Sequence, residues 1–102
     1  TASASASLLG WSARGRVDKV MALLALNADV STTDEGGASA LHAASRRGHV
    51  AVASLLLTSR ASPDEADGEG NRPLHWAALH GHAQAAQLLL DAGALPGPPG
   101  DA

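Results

Sequence analysis

An all-α solenoid of three stacked helix–turn–helix units, joined by hairpin-like turns, is the fold class this sequence predicts. The first observation is a register of 33 residues. Leu8, Leu41 and Leu74 coincide, as do Gly15, Gly48 and Gly81, the pairs Leu23–Leu24, Leu56–Leu57 and Leu89–Leu90, and Asp34 with Asp67. A unit of that length cannot bury its apolar face alone, so neighbours must stack. The second observation is compositional. The 102 residues hold no Phe, no Tyr and only two Trp, while Ala and Leu dominate the apolar set. Side chains of that size suit thin helical layers, each burying its neighbour's face.

The elements follow in order. The first unit, about 1–33, carries a short helix near 8–14 and a second near 17–26. Asn27 follows that second helix, where a left-handed residue is often needed. The second unit, 34–66, has an inner helix over 40–47 ended by Gly48 and an outer one over 50–59. The third, 67–95, starts its inner helix at Pro73, where a missing N–H costs nothing. Gly81 ends that helix and Gly93 ends the outer one. The connectors 31–38 and 63–71 are rich in Asp, Glu and Gly and read as turns, not strands. Residues 1–7 alternate Ala and Ser and read as a flexible leader, with the repeat domain spanning 8–95. The Pro/Gly-rich tail, 96–102, cannot be helix and is expected to be disordered.

Composition narrows the function classes. A net charge of −3 gives no general attraction to phosphate backbones, so nucleic acid is not the expected partner. There is no cysteine, hence no disulfide and no thiolate zinc site. The longest apolar run, 20–26, falls far short of the ~20 residues needed to span a bilayer, so direct membrane insertion is not expected. The chain starts at Thr1, which fits a processed product or a fragment.

The third unit reads Gly70, Pro73-Leu74-His75-Trp76-Ala77-Ala78, Gly81-His82, Leu88-Leu89-Leu90, Gly93-Ala94. The second reads Gly37, Ser39-Ala40-Leu41-His42-Ala43-Ala44, Gly48-His49, Leu55-Leu56-Leu57. The first keeps Leu8, Gly15, Val20, Leu23-Leu24 and Ala28-Asp29-Val30. This pattern resembles the ankyrin repeat family, and its recurrence in register makes the resemblance specific. Departures are Ser39 and Arg72 for the usual Thr, Ala40 for Pro, Arg60 for a helix-ending Gly, and Trp11 for a small Ala. Arg60 should therefore carry a small backbone strain or shift the turn there. An irregular first unit suits a terminal layer.

The resemblance implies a non-catalytic protein–protein interaction module, a small scaffold or accessory subunit that binds through its concave face and turn tips. By that resemblance the partner-contact candidates are Arg14, Glu35, Ala38, Arg46, Arg47, Glu69, Asn71, Leu79 and His80. Trp76 joins them as a core or groove-lining residue that, if partly exposed, would anchor a partner, since Trp is enriched at hot spots. Arg14, Arg47 and His80 are in register, each before the Gly that ends an inner helix, and could serve a helix C-terminus or a partner's acidic patch. Trp11 either shields the end of the stack or inserts into another protein.

His42 and His75, in register, are expected to be structural, as are Gly15, Gly48 and Gly81. The closeness of His75, His80 and His82 suggests a metal carrier, but a zinc site needs three or four converging ligands; no metal and no cofactor is expected. No Gly-x-Ser-x-Gly turn or phosphate loop occurs, so no enzyme is expected. A regulatory fragment of a longer enzyme or channel is the alternative. Nothing indicates a homo-oligomer. The family resemblance places the protein inside the cell, in the cytoplasm or in an organelle after transit-peptide removal.

Overall fold

Three helix pairs follow one another through the computed structural model, which describes residues 2–94, with side chains from Ser5 onward. The elements are α1 (Ala2–Ala13), α2 (Val17–Ala25), α3 (Ala40–Arg46), α4 (Val50–Thr58), α5 (Pro73–Leu79) and α6 (Ala83–Asp91). The inner helices α1, α3 and α5 form one row and the outer helices α2, α4 and α6 a second. This is the expected all-α solenoid, and residues 2–94 contain no strand, only an isolated bridge between Thr33 and Ser39.

One correction concerns the first helix. Residues 2–7 are helical rather than a frayed leader, because α1 begins at Ala2. Ser5 is buried, and its Oγ accepts the backbone N–H of Asp29 at 2.9 Å, tying the start of α1 to the end of the first unit. Alternating Ala and Ser gives no amphipathic period, so the helix was not legible from pattern. The expected Pro/Gly tail from Pro96 onward lies outside the described residues.

Each inner helix stops by the same device. The N–H groups of Arg16, His49 and His82 reach back to the carbonyls of Trp11, Ala44 and Ala77 at 3.1, 2.9 and 2.8 Å. Gly15, Gly48 and Gly81 sit just before them at φ +72, +73 and +73°. This is a Schellman termination, which needs a left-handed residue. The outer helices end alike, but with Asn27 (φ 63°), Arg60 (φ 74°) and Gly93 (φ 100°) at that place. Arg60 thus holds the strained conformation its departure from Gly implied, at a cost of ~1–2 kcal/mol.

The core is a line of equivalent positions. Leu8, Leu41, Leu56, Leu74 and Leu89 are buried, joined by Val20, Val52 and Ala44, Ala53, Ala77 and Ala85. Small residues let adjacent layers approach closely, which is why no large aromatic fills the centre.

Candidate functional site

Three kinds of contact lock layer to layer. His42 is buried at the start of α3; its Nδ1 accepts the N–H of Ser39 at 3.1 Å and its Nε2 donates to the carbonyl of Asn71 in the next tip at 3.0 Å. A carbonyl accepts only, so the Nε2–H tautomer is required. Burial pushes the His42 pKa down, outweighing the Asn71 carbonyl and the nearby Asp67 and Glu65 carboxylates. In α5, His75 Nδ1 accepts the N–H of Arg72 at 3.0 Å, the same cap one layer on. His49 forms the second lock. Its Nε2 donates to the Ala13 carbonyl at 3.1 Å, and its ring covers Gly15 so closely that a Cβ there would lie 2.6 Å from Nδ1. His82 covers Gly48 likewise, at 2.5 Å. At the tips, Gly68 N–H donates to the Gly36 carbonyl at 2.8 Å.

The tips themselves are held by the in-register aspartates. Asp34 Oδ1 accepts the N–H groups of Gly36 and Ala38 at 2.9 and 3.0 Å; Asp67 Oδ1 accepts those of Glu69 and Asn71, both at 2.9 Å. These turns place Glu35 and Glu69 in solvent, with Ala38 and Asn71 half-buried beside the inner helices.

Trp76 lies where this tip meets the inner row. Its Nε1–H donates to Asp67 Oδ2 at 3.0 Å. Burial alone would raise the Asp67 pKa, but the bonds from Asn71, Trp76 and Glu69 and the proximity of His42 hold it below the usual carboxylate value. Over the indole stands the Arg46 guanidinium, 5.3 Å from the ring centroid, reaching from α3 of the preceding layer. The His80 ring stacks with the indole at 5.9 Å, and the His82 ring with His80 at 6.4 Å.

Two hollows flank Trp76. One, of about 150 Å³, is lined by Asn71, His75, Trp76 and Leu79. The other, about 80 Å³, is bordered by Asp34, Ala38, Arg46, Asp67 and Trp76 among others. Leu79 is 72% exposed, an apolar side chain held in water at the rim.

The anticipated residues therefore divide. Ala38, Arg46, Asn71, Trp76, Leu79 and His80 gather around one groove on the inner row, with His75 in its wall. Glu35 and Glu69 stand on the tips. Arg47 caps α3 and is exposed at the helix-turn end. Arg14 belongs elsewhere: its guanidinium lies 5.2 Å from the Trp11 centroid, beside Arg16 and Lys19. Three features carried no assignment in the sequence: the tip-bracing role of Asp34 and Asp67, the stacking of His49 and His82 on Gly15 and Gly48, and the three-cation cluster on Trp11. Only the first two had a signal, their 33-residue register. Among the described residues no three of His, Asp and Glu converge for a metal ion, and no helix is long and apolar enough to cross a membrane.

A stack of helix pairs with an exposed inner groove defines a helical repeat scaffold. The model of ankyrin repeats, in three copies, matches residues 8–98, and the chain belongs to that family. Ankyrin repeats in general mediate protein–protein contacts and are typically non-catalytic. No curated protein sequence matches the chain.

Proposed function

We propose that this chain is a non-catalytic interaction module that grips a protein partner through the groove around Trp76 and the neighbouring tips. The carrying observation is the juxtaposition of Arg46, Trp76 and exposed Leu79 from adjacent layers. A half-buried indole beside an exposed leucine offers an apolar seat, and a guanidinium above it offers a charge, the composition of interface anchors. Arg46 and Arg47 favour a partner with an acidic patch there. The chain then serves as a small scaffold or accessory subunit within the cell, a compartment supported by family membership alone.

The test is an affinity capture on the immobilised chain, read by mass spectrometry and repeated with Arg46→Glu plus Arg47→Glu. A specific partner lost by the variant, with its helical circular dichroism unchanged, supports the groove. A partner retained at undiminished affinity sinks it. Retention through high salt marks a permanent subunit, and release marks an adaptor held by charge.

A further inference from the structure

The helix-turn end of the first layer gathers more positive charge than the stack needs. Within 6 Å of the Trp11 centroid lie Arg14 Cζ (5.2 Å), Arg16 Cζ (5.6 Å) and Lys19 Nζ (5.7 Å). All three are exposed, and the indole is half-buried against the core cluster. Each cation gains from the ring's negative face, but three like charges around one ring repel one another. A single carboxylate answers them: Asp18 accepts from Arg16 Nε and Nη2 at 3.2 and 3.0 Å. Arg14 and Lys19 have no carboxylate within ion-pair distance among the described residues.

The repeat topology extends this imbalance over the molecule. Every helix–helix turn falls at one end and every tip at the other. The turn end carries the Trp11 cluster, with Arg47 one layer on at the C-cap of α3. The tips carry Asp34, Glu35, Asp67 and Glu69. A chain of net charge −3 thus presents a concentrated positive end.

We infer that the Trp11–Arg14–Lys19 cluster is a second docking surface, taking an acidic peptide segment, rich in Asp or Glu, of a protein partner. Its carboxylates complete the pairing that Asp18 begins, and the segment's apolar stems lie along the indole. The charge is too localised for a duplex, whose binding needs a longer track of phosphate contacts. An anionic bilayer is disfavoured because the indole is held half-buried under its cations, not projecting for insertion. The inference goes beyond the groove around Trp76 and stands whether or not that groove binds.

The test uses a fluorescein-labelled octaglutamate peptide, with anisotropy read at low ionic strength. The wild-type chain binds saturably, and Arg14→Glu with Lys19→Glu weakens binding at least about tenfold, the sum expected when two exposed attractions become repulsions. Arg60→Glu with Arg72→Glu, matched in charge change but away from the cluster, binds as wild type does. Circular dichroism confirms that each variant folds. Absence of saturable binding, or equal loss in the charge-matched control, overturns the assignment. So does tighter binding of phosphatidylserine vesicles or of an oligonucleotide of equal charge.

Discussion

The guanidinium of Arg46 stands 5.3 Å above the indole of Trp76, a contact between the end of α3 in one layer and the middle of α5 in the next. It exists only because the layers stack at one register. Trp76→Ala is expected to weaken binding of the captured partner by ~2 kcal/mol or more, as for a central anchor. Arg46→Ala should change folding stability by under ~1 kcal/mol, since the guanidinium is exposed. Titration calorimetry and urea unfolding of each variant measure both numbers. Equal affinity for Trp76→Ala would move the interface off this groove.

Gly48 and Gly81 share a backbone conformation, φ +73° in both, but differ in what faces them. A Cβ on Gly48 meets the His82 ring at 2.5 Å, while a Cβ on Gly81 meets nothing among the described residues within 4 Å. Gly81→Ala should cost only the left-handed strain, ~1–2 kcal/mol. Gly48→Ala should cost ~1–3 kcal/mol more through overpacking against the imidazole. Identical urea midpoints would show that the stacked ring gives way freely.

Arg60 does with a side chain what Gly93 does without one. Both terminate an outer helix at positive φ. Arg60→Gly relieves strain of ~1–2 kcal/mol but loosens the unfolded chain by ~0.5–1 kcal/mol, so a net gain of about 0.5–1 kcal/mol is expected. A lower melting temperature for this variant would place the strain elsewhere.

Ser12 and Ser45 are fully buried, and neither hydroxyl has a hydrogen-bond partner among the described residues. Their register counterpart, Ala78, has no hydroxyl at all. A buried hydroxyl without a partner is costly, so Ser45→Ala should stabilise the fold by about 1 kcal/mol. Destabilisation in a denaturant titration would reveal a partner for the hydroxyl in solution.

Acid should loosen the stack in two stages. The folded-state pKa of His42 is lowered by burial, so the unfolded chain takes up that proton first. The stability His42 contributes is complete above about pH 6.5 and declines as pH falls from there through the folded value. Asp67 is also lowered, so its share is complete above about pH 4 and is lost below it. Melting curves from pH 8 to 3 follow both stages, and proton NMR of the His42 ring checks the first. A His42 pKa above the ordinary histidine value would reverse its sign.

The Leu, His and Gly positions were legible because stacking forces equivalent layers to repeat. Arg60 was legible as a break in that pattern, and Trp76 as an aromatic inserted beside a repeating His. The α1 start was not, because an Ala/Ser alternation has no apolar period; its anchor is the Ser5 bond to Asp29, 24 residues away. Nor was the separation of Arg14 from Arg46, since both precede or flank the same turn glycine in their own units.

The period, the helix pairs, their glycine stops and the buried leucine line are written in the amino-acid order. Those depend on local backbone preference and on each unit's need for a neighbour. Which side chains meet is set by the packing: Arg46 with Trp76 and His49 with Gly15 across layers, and three cations with Trp11 within the first. The meetings across layers depend on how one layer is rotated and shifted on the next. A sum of small packing contacts sets that displacement, and no single residue records it.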